Sequence, residues 1–190
     1  MKTAAGAEVA ESRALERIFA ATFLARWNTE LVGGGDEPLY LPADGDCPRH
    51  RIIYREDYFS SALHETAHWC IAGEARRALV DFGYWYQPDG RTLDQQRAFE
   101  RVEVKPQALE WLFTTAAGRP FRLSTDNLRG DDPQSRGASA EFVTAVEGQA
   151  RAWCLGGGLP PRGALFIGAL ADHYRVADVL DPDRYTNLAP

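Results

Sequence analysis

The chain has 190 residues, of which 45% are hydrophobic and 25% charged, as in an ordinary soluble globular domain. This composition excludes a disordered tail, a collagen-like rod and a disulfide-stapled miniprotein, and no apolar run approaches the roughly 18 residues of a membrane span. The 21 basic and 27 acidic residues give a net charge of −6, which argues against direct nucleic-acid binding as the main activity.

Length and cysteine usage predict a single domain over residues 1–190 in a reducing compartment. The three cysteines, Cys47, Cys70 and Cys154, are an odd number and form no CxxC pair, which is unusual for a secreted scaffold. The first residues carry one lysine and no apolar core after it, so a secretory signal is not expected. We therefore expect a cytoplasmic protein.

The first part of the chain is predicted to contain two helices and one short strand. Apolar residues recur at helical spacing over 12–31, and the glycine run 33–35 is expected to end this helix. A loop rich in proline, glycine and aspartate follows, and then a short strand over 51–54. A second helix is predicted over 58–73, closed by Gly73.

The rest of the chain is predicted to be mainly helical. An aromatic strand over 81–86 ends in a Pro-Asp-Gly turn. A third helix follows over 92–117, then a short strand over 121–124 and a polar loop. The last two helices are predicted over 140–154 and 162–175. Long helices with a few short strands indicate an α+β fold, mostly helical, with a small sheet.

The most informative motif is His64-Glu65-Thr66-Ala67-His68, an H-E-x-x-H on the second predicted helix. Histidines four residues apart lie on the same helix face, so both imidazoles can reach one divalent metal ion. The flanking residues are apolar, which indicates that this face points inward. A buried imidazole needs a polar partner, and a metal ion supplies one.

A site with two histidines needs a carboxylate, and the third helix offers three glutamates. On a helical wheel, Glu103 and Glu110 lie within the apolar face and Glu100 lies on its flank. An acid in a core face is costly unless it binds a cation or accepts strong hydrogen bonds. Spacing alone leaves both Glu103 and Glu110 open as ligands. Pro106 is expected to kink or start the helix between them.

Two chemistries share this ligand set, and the ligands alone do not separate them. A zinc ion with an open position would activate water, with Glu65 as general base of a metallopeptidase or amidase. Two histidines and one carboxylate with open positions also suit iron(II) and dioxygen. A purely structural zinc is less attractive because such sites are rich in cysteine. Cys70 points elsewhere on the helix and is assigned to the core.

The aromatic segment 81–86 has two interpretations. It is a core strand with one solvated side, or it forms one wall of a substrate pocket, since aromatic rings enclose long aliphatic amines well. In the second case Tyr84 and Trp85 would contact the substrate.

Four blocks of the sequence are informative together. They are Asp36–Asp44, Ala62–Arg77 (ALHETAHWCIAGEARR), Leu79–Arg91 (LVDFGYWYQPDGR) and Phe99–Phe113 (FERVEVKPQALEWLF). These blocks, in this order, resemble the bacterial elongation factor P hydroxylase family, and the resemblance covers roughly residues 15–175.

The resemblance implies an enzyme that hydroxylates the β-lysylated lysine of elongation factor P. It implies a non-haem metal site in which His64 and His68 match the family's histidine pair and Glu103 its carboxylate. Iron(II) and dioxygen are the implied cofactor and cosubstrate, and zinc is the alternative metal. Glu65 would then orient a water or the incoming amine. A site between this helix and a second, glutamate-bearing helix would be zincin-like by analogy.

Overall fold

The computed structural model describes residues 4–83, 90–125, 127 and 137–189. The chain divides into two compact units, Met1–Tyr84 with Pro160–Arg175 and Trp85–Leu159 with Val176–Pro190. Within the described ranges helices dominate and the strands form one three-stranded sheet, which confirms the predicted mostly helical α+β fold. No helix in these ranges is both long and apolar enough to cross a membrane. The domain count of one stays a prediction.

The described elements follow in chain order. They are α1 (Ala4–Trp27), β1 (Thr29–Gly35), β2 (Leu39–Leu41), β3 (His50–Arg55), α2 (Phe59–Ile71), α3 (Glu74–Arg77), a 3-10 segment (Val80–Gly83), α4 (Leu93–Ala116), α5 (Ala140–Cys154), α6 (Pro161–Tyr174) and a 3-10 turn (Pro182–Arg184). The helices predicted over 58–73, 92–117, 140–154 and 162–175 are thus confirmed as α2, α4, α5 and α6.

The strand β1 begins inside the segment predicted as a helix over 12–31. The helix α1 ends at Trp27 because Asn28 adopts a left-handed backbone (φ 49°), a conformation that asparagine tolerates at helix ends. The strand β1 then pairs in parallel with β3, placing Leu31 opposite Ile52, while β2 pairs with β3 in antiparallel fashion. The strand predicted over 51–54 is confirmed as β3, and the helix boundary at residue 31 is wrong.

The glycine run 33–35 completes β1 rather than ending a helix. A Cβ atom at Gly33 would lie 2.6 Å from the Tyr54 hydroxyl oxygen and 2.7 Å from Asp57 Oδ1, so a larger residue would clash. Gly34 has a φ of 86°, a left-handed value that favours glycine. The run therefore allows the register shift at the end of the parallel pair.

An aromatic cluster forms the core of the first unit. Trp69 of α2 is fully buried, and its ring centroid lies 5.4 Å from Phe19 and 4.9 Å from Phe23, both on α1. Phe166 of α6 lies 5.9 Å from Phe19. Such ring contacts at 4.5–7 Å stabilise the packing beyond area burial. The cluster fixes α2 against α1 and α6.

The segment predicted as a strand over 81–86 begins as a left-handed corner instead. Asp81 and Phe82 have φ values of 48° and 56°, which are strained for non-glycine residues. The corner is held because Asp81 Oδ1 accepts a hydrogen bond from the Tyr40 N–H (2.8 Å) and the Phe82 ring stacks on Tyr40 at 4.3 Å. Tyr84 and Trp85, the predicted substrate contacts, lie outside the described residues.

In the second unit, α4 and α5 begin at side-chain caps. Thr92 and Gln95 form a reciprocal capping box at the start of α4, and Ser139 caps α5 through the Phe142 N–H. The helix α4 continues through Pro106, so Pro106 does not start the helix, and the alternative of a kink there stays a prediction. A helical wheel of this segment predicts Val102 on the apolar face, but Val102 is 57% exposed, so the wheel is wrong at that position.

The segment 121–124 is not a strand, although its residues favour one. The Gln107 side chain on α4 makes the hydrogen bonds that a neighbouring strand would otherwise make. Its side-chain amide donates to the Ser124 carbonyl (2.6 Å), and its side-chain oxygen accepts from the Ser124 N–H (3.0 Å). These two bonds satisfy the backbone without a sheet partner.

Candidate metal centre

The histidine pair lies on one face of α2, as the sequence predicts. The Nε2 atoms of His64 and His68 are 3.1 Å apart, and both side chains are half-buried. With metal–nitrogen bonds of about 2.0–2.1 Å, two nitrogen ligands of one metal lie about 3.0–3.4 Å apart. The observed spacing therefore fits a pair of imidazoles that share one divalent metal ion.

The remaining faces of α2 pack into the first unit. Leu63, Ala67 and Cys70 are buried, which confirms the assignment of Cys70 to the core. Burial raises the pKa of the Cys70 thiol, so the thiolate form that binds metals is disfavoured there. The face with the two histidines is thus the one that could take a metal.

Glu65 lies between the two histidines in sequence and about 100° around the helix from His64. Its side chain is half-buried. Its role as a base, or as a group that orients substrate, stays a prediction.

The three glutamates of α4 are all buried. Their exposed fractions are 6% for Glu100, 5% for Glu103 and 6% for Glu110. A buried carboxylate is costly unless it accepts strong hydrogen bonds or binds a cation. Each of the three therefore needs its own explanation.

Glu100 is explained by the start of α5. One of its carboxylate oxygens accepts from the Ser139 N–H (3.0 Å) and the other from the Ser139 hydroxyl (2.6 Å). Both oxygens are thus occupied by a residue 39 positions away in sequence. Glu100 therefore has a structural role, which removes it as a candidate ligand.

We expect Glu100→Gln to lower the free energy of unfolding by about 2 kcal/mol, because a neutral amide replaces two charge-assisted hydrogen bonds. Metal affinity should not change. Urea denaturation and a metal titration measure the two quantities. Glu141→Gln, at an exposed position of α5, is the control. Equal losses of stability in both variants would contradict the role of Glu100.

Glu103 is the remaining candidate ligand on α4 beside Glu110. His64, His68 and Glu103 each offer one atom that could bind a metal ion. Within the described part of the chain, these three residues are the group of His, Cys, Asp or Glu side chains that could hold a metal ion. Glu110 is not a member of this group, and its role stays a prediction.

The end of α2 differs from the prediction. Gly73 was expected to close the helix, but its φ is −66° and that of Ala72 is −58°, so the usual left-handed glycine cap is not formed. The carbonyl groups there accept hydrogen bonds from Arg77 and Arg162 instead. Arg162 lies more than 90 residues away, and no local pattern in the sequence indicates this contact.

Comparisons with known proteins agree with the resemblance found in the sequence. A family model described as elongation factor P hydroxylase matches residues 18–185. The elongation factor P lysine hydroxylase of Haemophilus influenzae is 48% identical over 161 residues, which cover 85% of this chain and 88% of the relative. The chain therefore belongs to the elongation factor P hydroxylase family.

Proposed function

We propose that this protein hydroxylates a lysine of elongation factor P, using a divalent metal ion held by His64, His68 and Glu103. The observation that carries the proposal is the pair of imidazole nitrogens 3.1 Å apart on α2, in a chain of the hydroxylase family. The name of the Haemophilus influenzae relative supports the substrate protein and the lysine.

The donor set and the family together favour iron(II) as the metal. Two imidazoles and one carboxylate are the ligands of non-haem iron(II) oxygenases, and they also suit a catalytic zinc. When bound, iron(II) would supply the activation of dioxygen, for which zinc has no redox chemistry. Zinc with Glu65 as general base is the alternative, and it would make the protein a metallopeptidase or amidase.

The proposed reaction is a monooxygenation of the β-lysylated lysine side chain. A C–H bond becomes C–OH, one atom of dioxygen enters the product, and the other leaves as water. The balance requires two electrons and two protons from an external reductant. Oxygenases that use 2-oxoglutarate carry H-x-D/E, whereas Thr66 occupies the second position after His64. The sequence therefore does not support a requirement for 2-oxoglutarate.

Three further residues are proposed to handle the substrate. Glu65 is half-buried beside the histidine pair, and its carboxylate would orient the cationic amine or a water molecule. Tyr84 and Trp85 would enclose the aliphatic part of the side chain and exclude water. The motif on α2 also underlies a proposed analogy to the zincins, which concerns the site and not the reaction. Because the substrate is a translation factor, we infer a cytoplasmic location.

The proposal is tested by intact-mass spectrometry. β-Lysylated elongation factor P is incubated with the protein, iron(II), a reductant and air. We expect the substrate mass to increase by one oxygen atom. No mass change, together with zinc bound at one equivalent and cleavage of a peptide library, would support the peptidase instead.

Glu65→Gln separates the two chemistries. In a peptidase this change removes the general base and abolishes hydrolysis. In the proposed hydroxylase we expect metal content to be retained and hydroxylation to be slowed by about 10–100-fold, since the residue orients rather than reacts. Metal analysis and the same mass assay measure both quantities. Full hydroxylation activity in the variant would remove Glu65 from the site.

A further inference from the structure

The helix that carries the histidine pair is held at its carboxyl end by a distant arginine. Arg162, on the first turn of α6, donates from one terminal nitrogen, Nη2, to three backbone carbonyls at the end of α2. The distances are 2.8 Å to Trp69, 3.1 Å to Cys70 and 2.5 Å to Ala72. These carbonyls are among the groups that a helix end leaves without intrahelical partners.

A ring contact also holds the guanidinium in this place. It lies over the Trp69 ring, 4.7 Å from the ring centroid, and Trp69 is itself locked in the aromatic core. Arg77 adds a second donor to the Ala72 carbonyl at 2.7 Å. A cation at a helix carboxyl end also interacts favourably with the helix dipole. The last turn of α2 is therefore tied to α6.

This last turn includes His68. The final intrahelical bond at this end runs from the Ala72 N–H to the His68 carbonyl (2.9 Å). Helix ends fray by local unfolding unless their terminal groups are satisfied. At the other end, the Tyr58 side chain does not cap α2. Fraying at the Arg162 end would move His68 relative to His64.

We propose that Arg162 is a positioning residue that holds His64 and His68 at the spacing needed to bind one metal ion. The inference rests on the proposed metal site. It adds that part of the metal affinity comes from preorganisation of α2, through a residue that touches neither histidine. Groups that orient metal ligands in this way typically contribute about 10–100-fold to affinity.

Cobalt(II) alone is the probe for the test, because its visible absorption reports the ligand geometry without dioxygen or substrate. We expect Arg162→Gln to weaken cobalt(II) binding by about 10–100-fold and to change the spectrum of the saturated protein. Arg162→Lys keeps the charge but reaches fewer carbonyls, so its affinity should be intermediate. Should Arg162→Gln not fold, the lysine variant supplies the same comparison.

Arg151→Gln is the matched control. Arg151 also donates to a backbone carbonyl, that of Pro182 at 2.8 Å, but it belongs to α5. The Arg151→Gln variant should have a lower thermal stability but the same cobalt(II) affinity and spectrum as the unchanged protein. If the Arg162 variants bind cobalt(II) with an affinity within about two-fold of that of the unchanged protein, the role of Arg162 is overturned and the metal site is not. Failure of the unchanged protein to bind cobalt(II) would overturn the metal site as well.

Discussion

Replacing His64 or His68 with alanine is expected to abolish both metal binding and hydroxylation of elongation factor P. Each histidine would supply one of only two nitrogen donors, 3.1 Å apart, so that a single loss leaves no bidentate pair. Because loss of residues that merely orient ligands already costs about 10–100-fold in metal affinity, loss of a ligand should cost more than about 100-fold. Both side chains are half-buried, so stability should fall only slightly.

The matched control for this prediction is His173→Ala. His173 is also helical, on α6, but it is exposed and does not belong to the candidate metal group. This variant should match the unchanged protein in iron(II) affinity, measured by isothermal titration, in thermal denaturation and in the mass assay. If His64→Ala kept full hydroxylation activity, the site would have to lie elsewhere on the chain.

Local sequence pattern was enough to predict the helices that end at local signals. The helix α5 occupies Ala140–Cys154, the predicted range, because Ser139 caps its first turn by a bond to the Phe142 N–H. The histidine pair was predictable for the same reason. Residues four apart on a helix lie on the same face.

Strand β1 and the end of α2 could not be predicted because both depend on distant partners. The strand forms by parallel pairing with β3, and the glycine run looked like a helix end because its real neighbours, Tyr54 and Asp57, lie some 20 residues away. The end of α2 depends on Arg162 in the same way. Gly73 predicts a local cap, whereas in the structure the Arg162 side chain of α6 caps the end of α2.

The three glutamates of α4 show which features of the site a helical wheel can predict. The wheel identified Glu103 and Glu110 as costly core acids, but it placed Glu100 on the flank. The structure buries all three, with Glu100 against Ser139 and Glu110 within the part of α4 that is covered on most sides. The contact of Glu100 with Ser139, 39 positions away in sequence, separates its role from those of the other two.

Glu103→Gln is therefore expected to weaken metal binding and to keep stability, whereas Glu100→Gln should lower stability and keep metal binding. The change keeps the size of the side chain but removes the negative charge that a divalent ion requires from its one carboxylate ligand. We expect iron(II) affinity to fall by more than about 100-fold and hydroxylation to be lost, with a midpoint of unfolding close to that of the unchanged protein.

Comparison of the three glutamine variants decides the assignment of the carboxylate. Glu100→Gln should lose stability and keep metal, Glu103→Gln should lose metal, and Glu110→Gln should keep metal. Iron(II) titration and urea denaturation of each variant give the two values that the comparison needs. Loss of metal in Glu110→Gln with retention in Glu103→Gln would transfer the ligand role to Glu110. The histidine pair would keep its place, since both histidines lie on α2 and both glutamates on α4.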